Sequence, residues 1–353
     1  MAARDDVEFL ALLVHRGHLV RAQAERLLGG LQRGEPLDLL LESEAGFEPE
    51  QVARLRRTRG GEVPEIPGYE ILGKAGTGGT ADVWRARDKK TMKVLALKVL
   101  RGDVARHEPT RKAFITEARL LERLRHPGLV AGYGVARSGT TYFSRMEFIE
   151  GSTLLELLDR GQAFDERAAL RVVLEMAGVL EYLTCEGVIH RDVKPGNIML
   201  AHDGRMKLID LGFAGRPTEQ AAASDTTVGT VGYLAPEQCT GGAADLRSDI
   251  YSLGVTLFHL VVGRLPFASS DDREVLRMQV MEALSAPELK SRGLSHHLHY
   301  ILEKMMAKDL SARYQSWVEL TEDVRGQIEG SERLDYESEV RSRAARPGGG
   351  ARR

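Results

Sequence analysis

The sequence predicts an α+β protein in which strands precede the main run of helices, behind a small all-helical module. Three observations carry this. Residues 1–61 set Leu and Arg at helical spacing and end in the Gly/Pro stretch Gly60-Gly61-Glu62-Val63-Pro64-Glu65-Ile66-Pro67-Gly68. From Tyr69 to about Val135 the apolar runs are short and strand-like, with one helix near 111–125. From about Leu154 to Ile328 long helical patterns dominate. The predicted divisions are a helical module at 1–61, a linker at 62–68, a main domain at 69–329 and a disordered tail at 330–353.

The first module contains an internal repeat. A shift of 28 positions lays Leu19 to Leu27 over Phe47 to Leu55, and Leu12-Leu13 over Leu40-Leu41. Each unit reads as a helix, a Gly-containing turn and a second helix, with Pro49 where a first helical turn tolerates it. The competing reading is a chance match of two amphipathic helices.

Composition limits the function classes. The 353 residues are 42% hydrophobic and 28% charged, as in a globular protein with a real core. A net charge of −2 predicts no nucleic-acid partner and no membrane affinity. Only Cys185 and Cys239 occur, too few for a disulfide framework or a thiolate cluster. No run approaches the ~18 apolar residues that span a bilayer. Met1-Ala2-Ala3-Arg4-Asp5-Asp6 lacks signal-peptide form, so a cytoplasmic location is expected.

The main domain opens on Ala75-Gly76-Thr77-Gly78-Gly79-Thr80-Ala81-Asp82-Val83. Glycines at this density let backbone N–H groups approach phosphate oxygens, although many such turns bind nothing. Val94 to Leu100 is an apolar strand with Lys98 in it. A lysine there either reaches solvent from an edge or needs a partner. The next helix offers one: Phe114, Glu117, Ala118 and Leu121 share a face, which sets an acid on the apolar stripe.

His190-Arg191-Asp192-Val193-Lys194-Pro195-Gly196-Asn197 gathers an acid, an ammonium and an amide, and Asp210-Leu211-Gly212 adds a second acid. Between them Ile198-Met199-Leu200 and Met206 to Ile209 read as strands around an Asp203-Gly204 hairpin turn. A two-residue turn there makes positions summing to 407 face each other. Asn197 would then sit opposite Asp210, roughly 5 Å away between Cα atoms. Their oxygens would suit Mg²⁺ and the phosphates of a nucleotide.

Taken together, these segments resemble the eukaryotic-type (Hanks-type) protein kinases, in a bacterial-like cytoplasmic form, over about residues 69–329. Gly76, Gly78 and Ala81 fall on the Gly-x-Gly-x-x-Gly positions. Leu95-Ala96-Leu97-Lys98 resembles Val-Ala-Ile-Lys, and Glu117 matches the glutamate of the following helix. Met146-Glu147-Phe148 resembles the hinge that holds adenine. Ala235-Pro236-Glu237, Asp249 to Gly254 and Asp309 to Arg313 resemble the large-lobe motifs.

The resemblance implies a two-lobed kinase fold, ATP and Mg²⁺ as cofactors, and serine/threonine phosphorylation of protein substrates. In that reading Asp192 takes the acceptor's proton and Lys194 neutralises the γ-phosphoryl. Lys98, paired with Glu117, anchors the α- and β-phosphates, and Asn197 and Asp210 bind the metal. Residues 75–83, Ala96 and 146–148 form the nucleotide site.

The resemblance also makes Thr226 and Thr227 autophosphorylation sites that Arg191 could engage, against an ordinary polar loop. Leu211 departs from the usual Phe, and Ala81 from the third glycine. A pseudokinase scaffold and a small-molecule phosphotransferase are the alternatives. The N-terminal module would bind a protein partner or dock on the kinase.

Overall fold

Four helices open the chain: α1 (Ala2–His15), α2 (Arg21–Gln32), α3 (Leu37–Ser43) and α4 (Pro49–Arg59). The computed structural model describes residues 2–15, 18–59, 63–215, 231–285 and 293–344. It divides into two compact units, Met1–Gly76 with Asp82–Val99, and Thr77–Ala81 with Leu100–Arg353.

In the first unit the 28-residue shift reappears in three dimensions. The α2 start at Arg21 maps onto the α4 start at Pro49. Phe9, Leu13, Leu19 and Leu27 map onto Leu37, Leu41, Phe47 and Leu55, and all eight are buried in one apolar cluster. The closing bond repeats as well: the Leu19 N–H reaches the Leu13 carbonyl at 3.4 Å, and the Phe47 N–H the Leu41 carbonyl at 3.0 Å. Gly30 lets α2 and α3 approach, since a Cβ there would lie 2.6 Å from Leu40. Arg56 on α4 bonds Asp6 of α1 at 2.8 Å and Asp38 of α3 at 2.6 Å, so one cation ties both helix pairs. The linker is anchored too, by a 2.6 Å contact of His18 with Glu65 and by buried Ile66.

The strands β1 (Tyr69–Thr77), β2 (Ala81–Asp88) and β3 (Val94–Leu100) follow, adjacent in that order. Burial of Ala81, Trp84 and Ala86 on β2 and continuous burial of Leu95, Ala96 and Leu97 on β3 match a sheet with a covered face.

The second unit begins its regular structure with α5 (Glu108–Arg123), which buries Phe114, Ala118 and Leu121. It ends before His126-Pro127, with Leu124 already extended. β4 (Gly132–Ser138) and β5 (Thr141–Met146) form an antiparallel pair. Then come β6 (Gly151–Thr153), α6 (Leu154–Asp159) and α7 (Glu166–Cys185), the last capped by the Asp165 carboxylate. β7 (Ile198–Ala201) joins β6 and β8 (Met206–Leu208) in a small sheet. The remainder is helical: α8 (Pro236–Cys239), α9 (Leu246–Val262), α10 (Asp272–Met281), α11 (His296–Met305) and α12 (Trp317–Ala344). α9 is buried on nearly every side, as a helix at the centre of a lobe must be. Among the described residues no helix is long and apolar enough to cross a membrane.

Two expectations change. The β7–β8 register pairs Ile198 with Leu208 and Leu200 with Met206, sums of 406 rather than 407. Gly204 adopts φ +85, and the Ala201 N–H closes on the Arg205 carbonyl at 2.9 Å. That is a three-residue loop with its glycine in the left-handed position, one residue longer than a symmetric Asp-Gly turn. Asn197 therefore faces Ile209, whose N–H reaches its carbonyl at 3.0 Å, and Asp210 lies one position further on.

The second change is at the tail. α12 continues to Ala344, through a segment expected to be disordered from 330. Residues 331–344 contain neither Gly nor Pro, and an anchored helix extends without a new nucleation cost.

Candidate active site

The loop between α7 and β7 is held from beneath by an acid in the middle of the lobe. Asp249, on α9 and 1% exposed, accepts the His190 N–H at 2.8 Å and the Arg191 N–H at 2.7 Å. Burial pushes its carboxyl above the ordinary range, against the pull of nearby His190 and the two N–H donors. The two bonds hold Arg191 at φ +67, a strained value for a residue with a Cβ. His190 locks the loop to the next segment. Its Nδ1 accepts the Asp192 N–H at 3.2 Å, which makes Nε2 the protonated nitrogen donating to the Asp210 carbonyl at 2.7 Å.

The Asp192 carboxylate is 7% exposed and uses its two oxygens differently. Oδ2 receives the Asn197 amide at 2.9 Å and the Lys194 ammonium at 2.8 Å. Oδ1 is buried with no hydrogen-bond partner among the described residues. An oriented carboxylate oxygen left without a donor suits the proton of an incoming hydroxyl.

Asn197 donates its Nδ2 to the Asp192 carbonyl at 2.8 Å as well as to its carboxylate, so the amide oxygen faces the other way. Asp210 accepts the Gly212 N–H at 2.9 Å on Oδ1. An outward amide oxygen and a carboxylate fit a hard divalent cation of the Mg²⁺ type. Glu117 belongs to the same neighbourhood: a Cβ on Gly212 would lie 3.7 Å from its Oε2 and 3.2 Å from Asp210 Oδ1.

At the hinge Met146 is buried, and Glu147 spends most of its polar groups internally. Its N–H meets the Ala131 carbonyl at 2.8 Å, and its carboxylate pairs with buried Lys207 at 2.7 Å. Phe148 is half-buried.

In the glycine-rich loop, Gly78 donates to the Ala81 carbonyl at 2.9 Å, and a Cβ on Gly78 would lie 3.0 Å from that oxygen. The Ala81 methyl packs with Leu100 and Phe114, which explains a side chain where a third glycine was expected. Gly76, Gly79, Thr77 and Thr80 are at least partly exposed, as is Ala75. Asp82 is engaged by Lys74 at 3.0 Å, Val83 is half-buried and Ala96 is buried. Lys98 is half-buried on β3 between Leu97 and Val99. Thr226 and Thr227 lie outside the described residues.

A second buried charge cluster flanks the loop. Arg313, 0% exposed, makes a bidentate pair with Glu237, both bonds 2.8 Å, and Ser248 adds a hydroxyl at 2.6 Å. Burial raises the Glu237 carboxyl, but the Arg313 bonds and charge outweigh it and hold the group below the usual range. Gln238 bonds the Arg191 carbonyl at 3.0 Å, joining this cluster to the catalytic loop.

A protein kinase domain model matches residues 69–323. The chain belongs to the protein kinase family. It is 34% identical over 275 residues to a probable serine/threonine-protein kinase of Streptomyces coelicolor, covering 74% of this chain and 40% of that one. It is 34% identical over 266 residues to the serine/threonine-protein kinase PknB of Mycobacterium tuberculosis, covering 72% and 42%. With the serine/threonine-protein kinase PrkC of Bacillus subtilis it shares 31% over 264 residues, covering 73% and 40%. The chain thus spans about two fifths of the length of the curated relatives it matches.

Within this kinase Leu211 is 1% exposed and fills an apolar position, as the usual Phe would. Sequence reasoning saw Asp249 only as part of a motif and missed its hold on two peptide N–H groups. The signal was present: an acid inside an otherwise apolar helix. Lys207 gave a similar signal on an apolar strand.

Proposed function

We propose that the chain is an active serine/threonine protein kinase, transferring the γ-phosphoryl group of ATP to hydroxyls of protein substrates. The observation that carries this is Asp192 Oδ1, buried and without a donor among the described residues, beside an oxygen already held by Asn197 and Lys194. The acceptor hydroxyl attacks the γ-phosphorus as its proton passes to Asp192, and the bond to the β-γ bridging oxygen breaks with its electrons leaving on ADP. Lys194, paired with Asp192 at 2.8 Å, would neutralise the transferred group. Lys98 anchors the α- and β-phosphates in this reading. Residues 75–83 cover them, and the hinge holds the base. Asn197 Oδ1 and the Asp210 carboxylate would hold Mg²⁺, which would supply charge neutralisation for the nucleotide's phosphates.

The acceptor class rests on Lys194 and on the likeness to serine/threonine-protein kinases. Residues 69–329 form the catalytic domain in this reading. The helices of 1–61 serve a protein partner or regulate the kinase, and the chain acts in the cytoplasm. Autophosphorylation at Thr226 or Thr227 would order the segment through Arg191. Mass spectrometry after incubation with ATP and Mg²⁺ should find phosphate between 216 and 230; none there removes that part.

The main test is transfer of labelled phosphate from ATP to protein by wild type and Asp192→Asn. Equal rates would leave a pseudokinase scaffold. Transfer confined to small alcohols would favour a small-molecule phosphotransferase.

A further inference from the structure

A chain of buried hydrogen bonds runs from Lys308, outside the His190–Asn197 loop, to the backbone of Gly232. Gln279 on α10 is 0% exposed. Its Nε2 donates to the Gly232 carbonyl at 2.6 Å, and more distantly to that of Val231 at 3.5 Å. Its Oε1 accepts the Tyr251 hydroxyl at 2.5 Å. Tyr251, on α9 and also 0% exposed, accepts in turn from Lys308 Nζ at 2.8 Å. Lys308 donates again to the Gln279 carbonyl at 2.7 Å and lies 4.3 Å from the centre of the Phe267 ring.

The order of donors is forced. An ammonium has no acceptor, so the Tyr251 oxygen must receive from it and send its own proton onward. Gln279 must then present Oε1 to Tyr251, which turns Nε2 to Gly232. One cation outside the catalytic loop thus fixes the orientation of an amide that would otherwise flip at little cost. The segment it grips is constrained elsewhere as well. The Tyr233 carbonyl accepts the Ser252 hydroxyl at 2.8 Å, the Tyr233 hydroxyl meets His259 Nδ1 at 2.7 Å, and a Cβ on Gly232 would lie 2.8 Å from Leu265.

We infer that Lys308, acting through Tyr251 and Gln279, is a positioning residue for the protein acceptor: it fixes the Val231-Gly232 backbone, which runs on to Gln238 and its bond to the Arg191 carbonyl beside Asp192, and the acceptor docks along that stretch. This rests on the proposed kinase activity. The chain ends on the Gly232 carbonyl and not on a residue assigned to the nucleotide, so its effect is expected on acceptor binding rather than on ATP.

The test measures KM for dephosphorylated casein and KM for ATP separately. Lys308→Met removes the donor that sets the chain's direction. Gln279→Glu still accepts from Tyr251 but has no N–H for Gly232. Each is expected to raise the casein KM about tenfold, the effect of one unpaired buried group, with the ATP KM at its wild-type value. Lys308→Arg keeps a permanent donor and retains the wild-type casein KM.

A pH profile adds a readout that a purely structural role would not move. Lys308 is faced by Arg313 on its own loop, Tyr251 on α9, Cys239 at the end of α8 and Glu282 beyond α10. Burial, with the charge of Arg313, draws its ammonium down to about 8. A neutral amine can accept as well as donate, and the chain loses its single direction. The wild-type casein KM should therefore climb as pH rises through about 8, while Lys308→Arg stays flat.

A flat wild-type profile, or variants sharing the wild-type casein KM, overturns the inference. If Lys308→Met and Gln279→Glu fail to fold, the wild-type and Lys308→Arg profiles decide it alone. Absence of phosphate transfer to any protein by the wild type would remove the kinase reading and this inference together. An active wild type with an unmoved acceptor KM removes only the positioning role.

Discussion

The N-terminal helices and the catalytic region bury opposite kinds of side chain. In the module the core is apolar throughout, from Phe9 and Leu13 to Leu41 and Leu55, and Arg56, a cation that bridges its helices, stays near the surface. Around the catalytic loop His190, Asp192, Asn197, Asp249, Gln279 and Arg313 are all buried. An apolar core needs volume and pattern, and tolerates exchange among side chains of similar size. A buried polar cluster is costly unless each member keeps its partner, so every residue in it is individually constrained. The first arrangement builds a shape. The second holds charges for use.

That contrast can be broken at several points. The largest effect is expected at Asp192. Asp192→Asn should lower kcat by ~10²- to 10⁴-fold while the melting temperature stays near that of the wild type. A fall in both would mean that the acid is mainly structural.

Next comes the buried ion pair. Glu237→Ala leaves Arg313 unpaired and should cost ~3–5 kcal/mol in denaturant unfolding. The sign with pH follows from the lowered carboxyl: between its folded value and the unfolded value of 4.5 the unfolded chain binds more protons. Stability from this group is complete above 4.5 and is lost as pH falls through the folded value. Wild type should thus lose stability more steeply than Glu237→Gln on acidification, and parallel curves would refute the assignment.

In the module, Leu41→Ala should cost ~2–5 kcal/mol, whereas Leu41→Met should cost less than ~1.5 kcal/mol. Similar losses for both would make the module's core as exacting as the polar cluster. The smallest effect belongs to Arg56→Ala, about 1 kcal/mol or less, because the pair remains partly solvated. A loss as large as that of Glu237→Ala would erase the distinction.

The two regions were also unequally legible in the sequence. The module's repeat could be found because equivalent positions such as Leu13 and Leu41 carry the same side chain and the same burial. The catalytic residues were legible as chemistry, since few other roles suit Asp192, Lys194 and Asn197 together. Their supports were not. Gln279, Tyr251 and Lys308 are far apart in the chain, and hydrophobic periodicity says nothing about which distant donor meets which acceptor. The hairpin register slipped by one because Gly204 could close either a two- or a three-residue loop, and backbone conformation makes the choice. The helix through 331–344 was missed because a polar composition was read without asking whether an anchored helix would stop.

Asp249 carries a consequence of its own. The alignment of Asp192 depends on where α9 sits, since one carboxylate at its N-terminal end sets two peptide planes of the loop. Under the proposed activity, turnover would therefore be partly a readout of core packing. A small cavity or a sub-ångström shift beneath α9 reaches Asp192 as misalignment before it reaches the whole chain as unfolding.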